Sequence, residues 1–148
     1  MWSWRVWLRL PFMAYQFDFD GVNRILLCRW DGPVTDESLR ECYSTIRKYV
    51  ALTHPRAGIL DFSGATSFDV ASQTVQELAR SAPPMADPLV PRYIVAPSAH
   101  MFGLARMFQL IGEPTRPRLE VLRTSEEAYT LLGVQAPQFE PLQPIDCR

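Results

Sequence analysis

Segments with the period of a strand alternate along this chain with segments that have the period of a helix, and this alternation limits the fold more than any other feature. Apolar and polar residues alternate from Tyr15 to Asp20, and a second strand is predicted at residues 24–30, after a turn at residues 21–23. The sequence DGP at residues 31–33 predicts the end of that strand. The chain is therefore expected to open with an antiparallel hairpin.

Beyond the hairpin, helices and strands are expected in turn. The first helix has apolar residues at spacings of three and four, a cap at Thr35 or Asp36, and an end at His54-Pro55. Strands are predicted at residues 58–62, 92–96 and 119–123, and helices from about residue 69 to 81, from 98 to 111 and from 126 to 132. The order ββαβαβαβα predicts an α/β domain with a mixed, mainly parallel sheet and an N-terminal antiparallel hairpin.

The residues between the third strand and the second helix form the first candidate site. The second helix is predicted to start at a side-chain cap from Ser67 or Asp69, so that residues 63–67 form a loop. In open α/β sheets, ligands bind at such loops, beyond the carboxyl ends of the strands. Capping and a turn at residues 63–64 also explain these residues without a ligand. The candidate site residues are Asp61, Ser63, Thr66, Ser67, Asp69 and Ser72.

The third helix has an apolar stripe wider than contact with one sheet requires, and it forms the second candidate site. The proline-rich connector at residues 83–91 is expected to be the most mobile segment. Helix and connector together are expected to wall an apolar pocket, although such a stripe also fits an ordinary core. The pocket residues are Tyr93, Met101, Leu104, Met107, Phe108 and Ile111.

Composition and single residues exclude several classes of function. With 148 residues, 47% of them apolar and a formal net charge of -1, the chain matches one globular domain and has no basic field for nucleic acid. No apolar run approaches the roughly 18 residues of a transmembrane segment. Cys28, Cys42 and Cys147 are an odd number without CxxC spacing, which favours reduced thiols and a cytoplasmic location.

No arrangement of residues predicts catalysis. Neither His54 nor His100 has a recognisable orienting carboxylate, and no metal spacing or glycine-rich phosphate loop is present in the sequence. We therefore expect no enzymatic activity, no metal and no cofactor. An acid–base site at Asp61 and Asp69 is the enzymatic alternative.

The two ends of the chain are expected to lie outside the core. Residues 1–12 contain three tryptophans and two arginines but no acid, and are interpreted as a tail or as sequence upstream of a start at Met13. The alternative is an anchor that gives peripheral contact with a membrane. The domain is expected at residues 13–134, and residues 135–148 are expected to form a loosely ordered tail.

The order of elements, the stretch ILDFSGATSFDVAS at residues 59–72 and a last short helix that ends in LLGV resemble the STAS superfamily, typified by the anti-anti-sigma factors. The chain is more similar to the SpoIIAA-like branch, which is grouped with lipid-binding SEC14-type domains. The resemblance covers residues 15–134. It implies a switch-like surface for a protein partner, and the SEC14-type grouping implies a pocket for an acyl chain.

In anti-anti-sigma factors, the loop before the second helix carries Ser-Phe, one residue, Asp, two hydroxyl residues and Gly, and a partner kinase phosphorylates one hydroxyl. Ser67 and the following Phe match this pattern, whereas Asp69 lies one place early. Ala71 replaces the first hydroxyl and Gln73 replaces the glycine. The resemblance therefore implies Ser72 as the phosphate acceptor.

These features favour a non-enzymatic binding or regulatory domain that recognises a protein partner through residues 61–73. The alternative function is carriage of a small hydrophobic ligand or lipid in a pocket along residues 101–111. A tail-accessible apolar cavity would favour the carrier, and titratable groups that converge in a cleft would favour an enzyme.

Overall fold

The computed structural model describes residues 14–145. The expectations for residues 1–12 and for Cys147 lie outside the described residues. The strands are β1 (Tyr15–Asp20), β2 (Ile25–Thr35), β3 (Ala57–Asp69), β4 (Arg92–Val95), β5 (Leu119–Leu122) and β6 (Glu140–Pro141). The helices are α1 (Asp36–Thr53), α2 (Ser72–Arg80), α3 (Ala99–Gly112) and α4 (Ser125–Leu132). Within residues 14–145, no helix has the length and apolar character needed to span a membrane.

The strands form one mixed sheet in the order β5-β4-β3-β2-β1-β6. Strands β2 to β5 are parallel to one another, and β1 is antiparallel to both of its neighbours. The hairpin between β1 and β2 turns at Asp20, whose carboxylate accepts hydrogen bonds from the backbone N–H groups of Val22 and Asn23 at 3.0 Å. The predicted α/β class and the antiparallel hairpin are confirmed.

Each face of the sheet is apolar and packs against helices. One face lies under α1, α2 and α3, which contribute Cys42, Val75 and Ala105 to the larger hydrophobic cluster. The opposite face packs against α4 through Ala128, which is fully buried. Parallel strands buried on both faces are typical of this class of fold.

Local capping chemistry sets the ends of three helices as the sequence predicts. The hydroxyls of Thr35, Ser98 and Thr124 accept hydrogen bonds from backbone N–H groups in the first turns of α1, α3 and α4. The capping box between Thr124 and Glu127 is present. His54 ends α1 with a φ of 48°, and Gly133 ends α4 with a φ of 72°.

The predicted ends of β2 and β3 are wrong. The DGP sequence does not end β2, which continues to Thr35, and residues 63–67 are not a loop because β3 continues to Asp69. Residues 31–35 pair in parallel with residues 64–69, with register shifts after Arg29 and after Gly32. Pro33 is tolerated there because, among the described residues, the bonding of β2 on the β1 side ends with the Asp31 N–H, which donates to the Ala14 carbonyl.

The segment after residue 134 differs from the expected loosely ordered tail. Strand β6 pairs with β1, and Leu142 N–H donates to the Phe17 carbonyl at 2.8 Å. The Tyr49 hydroxyl donates to the carbonyl of Gln143, also at 2.8 Å. The sequence did not reveal this strand because two residues, one of them proline, have no detectable period.

Candidate functional site

The far ends of β2 and β3 project beyond the rest of the sheet. Strand β4 ends at Val95, which pairs with Asp61, so that within the described chain residues 63–69 have a partner strand only on the β2 side. We call residues 31–35 and 63–69 the β2–β3 extension. The exposed residues of its β3 half are Ser63, Gly64, Thr66, Ser67 and Asp69.

Gly64 allows the two strands to approach at the register shift. A Cβ atom at this position would lie 2.4 Å from the carbonyl oxygen of Trp30, closer than any real Cβ contact. Because the obstacle is backbone rather than a flexible side chain, no larger residue fits without moving a strand. The SGATS sequence, interpreted above as a loop, is therefore a bulged strand that needs its glycine.

The predicted caps of α2 are wrong. Ser67 and Asp69 lie in β3, where they pair with Pro33 and Thr35, and the N-cap residue is Ala71, which has no side-chain acceptor. The acceptor comes instead from α1, because the Asp36 carboxylate accepts the Ala71 N–H at 2.9 Å. This hydrogen bond, followed by one from the Thr74 hydroxyl, lowers the pKa of Asp36.

Ser72 is the first residue of α2 and is exposed, as the sequence predicts. The Asp36 carboxylate is bonded to the residue before it, and the guanidinium of Arg40 donates to the Thr74 hydroxyl and to Glu77, each at 3.1 Å. The first turn of α2, which contains Ser72, is thus bonded to one acid and one base of α1. The helix N-terminus itself favours negative charge.

The two acids of the enzymatic alternative lie apart. One Asp61 oxygen accepts the Ser63 N–H at 2.8 Å and the other accepts the Ser125 hydroxyl at 3.1 Å, which joins β3 to α4. Asp69 is exposed at the far end of β3. Asp61 pairs with Arg29 and Asp69 pairs with Thr35, six positions further along β2, so the two aspartates lie roughly 20 Å apart along the strand. They cannot act as an acid–base pair on one substrate.

Groups of three or more histidine, cysteine, aspartate or glutamate side chains able to hold a metal are absent from residues 14–145. Cys28 and Cys42 are buried free thiols whose sulfur atoms are 3.4 Å apart. Burial, together with the neighbouring Cys42, raises the pKa of Cys28, so the protonated thiol is its stable form.

An apolar cavity of about 130 Å³ lies between the sheet and the helices α1, α2 and α3. Four of the six predicted pocket residues line it, namely Tyr93, Met101, Leu104 and Phe108, whereas Met107 and Ile111 do not. The α1 side of the cavity was not predicted. It consists of Leu39, Tyr43, Ile46 and Val50, whose spacing indicated an apolar helix face but not that a space lies beneath it.

Comparisons with known proteins bear on the fold. No family model matches the sequence, and no curated protein matches it. The structure is similar to that of the anti-sigma factor antagonist SpoIIAA in its unphosphorylated form, with 16% identity, a TM-score of 0.55, and coverage of 83% of this chain and 100% of that chain. It is also similar to the Bacillus cell fate determinant SpoIIAA in the phosphorylated form, with 18% identity, a TM-score of 0.51 and coverage of 80% and 99%.

The shared architecture defines a class. The mixed sheet with an antiparallel hairpin at the start and helices on both faces is the STAS fold. Within that class the fold of this chain is SpoIIAA-like, which confirms the fold that the sequence resemblance implies.

Proposed function

We propose that this protein is a non-enzymatic, STAS-like regulatory domain of the cytoplasm that recognises a protein partner through residues 61–73. The observation that carries the proposal is the β2–β3 extension, whose exposed β3 half is paired on one side only and leads within three residues into the exposed N-terminus of α2. Strand edges of this kind can bind another chain through the backbone. Buried free thiols favour a reducing compartment.

The polar chemistry of the extension supports recognition of a protein. Hydroxyls and a carboxylate project from its exposed positions, whereas the half-buried Phe68 packs inward against Phe62 and anchors this part of the strand to the core. The Phe68 carbonyl is within 3.2 Å of the His100 ring nitrogen, so this acceptor already has a partner within the chain. A partner that supplies an extended segment or a polar surface fits this set of groups.

The similarity to SpoIIAA suggests the class of partner and a switch. One similar structure is that of an anti-sigma factor antagonist, and another is of a phosphorylated form. By analogy, the partner is an anti-sigma-factor-like protein and Ser72 is the phosphate acceptor. A phosphate there would add about 1.5 to 2 negative charges to the first turn of α2, which Asp36 and Arg40 of α1 already contact. A partner that contacts the neutral Ser72 hydroxyl would have to desolvate this charge, so we expect phosphorylation to weaken partner binding.

Carriage of an apolar ligand is a second candidate function, and the cavity beneath α1, α2 and α3 favours it. The lining side chains are almost all apolar, which is typical of sites that bury a hydrophobic molecule. This function uses the interior of the domain, so it is compatible with a partner site on the β2–β3 extension.

Photo-crosslinking in the native host tests the partner proposal. A benzophenone amino acid replaces Thr66 in the full chain, and a matched control carries it at Val22, which is 79% exposed in the β1–β2 turn at the opposite end of β2. We expect a defined protein adduct from position 66 and none from position 22. Adducts of equal yield at both positions, or none at position 66, would contradict the proposal.

A further inference from the structure

We infer that the cavity beneath α1, α2 and α3 binds a small, neutral, apolar molecule of about the size of toluene, and not a long-chain lipid with an anionic head group. The inference rests on the second candidate function and names its ligand class. Three observations carry it, namely the volume of the cavity, the chemistry of its wall and the hydrogen bonds of two buried arginines.

The volume limits the ligand to a few carbon atoms. Close-packed protein interiors contain few voids larger than a water molecule, and a cavity of about 130 Å³ is well above that size. An engineered apolar cavity of about 150 Å³ in another protein binds benzene, which has six carbons. A sixteen-carbon acyl chain would need roughly two to three times this space, so it does not fit the cavity as it stands.

The wall of the cavity favours an apolar occupant over water. Leu26, Phe62, Val75 and Ala105 contribute hydrocarbon from the sheet and from two helices. A water molecule needs two to four polar partners to occupy a buried site, and cavities lined by aliphatic and aromatic groups remain dry. An apolar molecule that enters therefore has no ordered water to displace and gains contact with every wall.

Two buried arginines in the cavity wall have their donors committed to the protein. Arg116 is 2% exposed, and its guanidinium donates to the carbonyls of Ala79 at 2.9 Å and Ser81 at 3.1 Å and to the Tyr43 hydroxyl. It also lies 5.0 Å from the centre of the Phe108 ring. Arg116 thus ties the C-terminal end of α2 to its neighbours.

Arg92 is bound in the same way on the connector side. It is 7% exposed and donates to the carbonyls of Met85, Asp87 and Val90 at 2.7 to 3.2 Å. Burial, and then the nearby positive charge of Arg116, lowers the pKa of Arg92. An anionic head group would have to break these bonds to reach either guanidinium. A neutral ligand leaves them intact and uses only the carbon surface.

The connector side of the cavity can adapt to a ligand. Pro84 and Met85 line the cavity and are half-buried. A Cβ atom on Gly58 would lie only 2.8 Å from the terminal methyl carbon of Met85, so the absence of a side chain at Gly58 makes room for Met85. Methionine side chains are flexible and fill irregular gaps, so Met85 can shift without a change in the backbone.

Titration of the full-length, isotope-labelled protein with toluene, followed by amide NMR, tests the inference. Sodium decanoate is titrated in parallel as the anionic, longer probe. We expect saturable toluene shifts at the amides of Cys28, Val75 and Ala105, and none with decanoate below its micelle concentration. Leu104→Trp, which fills the cavity, should weaken toluene binding at least tenfold. Leu110→Trp places the same ring on the same helix at an exposed position and should leave binding unchanged.

The outcomes distinguish failure of the neutral ligand class from failure of the carrier function on which it rests. Decanoate shifts at the same amides, abolished by Leu104→Trp, would overturn the neutral ligand class while the carrier function stands. No saturable shift with either probe would overturn both, and partner recognition, which the crosslinking experiment tests, would be unaffected. If Leu104→Trp does not fold, Ala105→Ile adds fewer atoms at another lining position, and unchanged toluene affinity in that variant would also overturn the inference.

Discussion

The β2–β3 extension and the interior around the cavity differ in what their polar groups do. In the interior, Arg116 and Arg92 are buried and bound to backbone carbonyls, so each holds two elements together. On the extension, Ser63, Thr66 and Ser67 are exposed, and within residues 14–145 their hydroxyls make no hydrogen bond. Substitutions of the buried arginines should therefore lower stability, and substitutions of these exposed hydroxyl residues should change binding alone.

The largest loss of stability is expected from Arg116→Leu. The variant leaves the carbonyls of Ala79 and Ser81 without a donor and removes the cation from the Phe108 ring, at a cost of about 3 kcal/mol. Urea unfolding followed by circular dichroism measures this. Arg118→Leu removes an exposed guanidinium with one 3.3 Å hydrogen bond and should cost less than about 0.5 kcal/mol. Equal losses for the two variants would show that burial of Arg116 contributes nothing.

Asp20→Asn is expected to cost about 1 to 3 kcal/mol at neutral pH. Burial acts to raise the pKa of Asp20, but hydrogen bonds from Asn23, Gln138 and Val22 outweigh it, so the pKa lies below its usual value. Because the folded pKa is lowered, this carboxylate stabilises the fold above the unfolded pKa of about 3.9, and the contribution is lost as the pH falls through the folded value. The difference in free energy of unfolding between the wild type and Asp20→Asn should therefore decrease between pH 5 and pH 2, by an amount on the order of the cost at neutral pH. A difference independent of pH would contradict the assignment.

Removal of single hydroxyls compares a helix cap that the structure contains, Thr124, with one that only the sequence predicts, Ser67. Thr124→Ala removes the capping box of α4 and should cost about 1 kcal/mol. Ser67→Ala, at a position that the sequence also predicts to be a cap, should change stability by less than about 0.5 kcal/mol because Ser67 lies in β3. Thermal unfolding of both variants compares them directly. A loss at Ser67 as large as that at Thr124 would mean that its hydroxyl supports the extension.

Deletion of residues 1–12 is expected to have the smallest effect, with a melting temperature close to that of the full chain, because the strands and helices of the described core all lie at or after Tyr15. Calorimetry of both proteins measures this. A fall of several degrees would show that the tryptophans pack on the domain. Binding of the full chain, but not of the deletion variant, to anionic vesicles would support the membrane-surface alternative.

Local chemistry explains what the sequence predicted correctly. Ser98 and Thr124 cap helices that begin one residue later, and period and spacing located every strand of the domain except β6. Each of these features depends on neighbours within a few residues. The α3 side of the cavity was found for the same reason, since Met101, Leu104 and Phe108 recur along one helix.

Long-range contacts explain what the sequence missed. Pro33 ends a strand in most contexts, and it is tolerated here because none of the described residues pairs with it on the β1 side. The start of α2 depends on Asp36, which lies 35 residues earlier than the N–H group that it accepts. Parallel pairing of residues 31–35 with 64–69 has no local signature, so a bulged strand was interpreted as a loop.

The affinity of the crosslinked partner for three forms of the full chain tests the partner site most directly. Isothermal titration calorimetry would compare the wild type, Ser72→Ala and Ser72→Asp. We predict that Ser72→Ala binds within about threefold of the wild type, and that Ser72→Asp binds at least tenfold more weakly, about 1.4 kcal/mol, because the partner must desolvate the carboxylate that Ser72→Asp adds at the start of α2. The Asp variant should not unfold, since a helix N-terminus favours an acid. Equal affinity of the Ala and Asp variants would contradict a switch at Ser72 and, with it, the central claim that residues 61–73 form the regulated partner site.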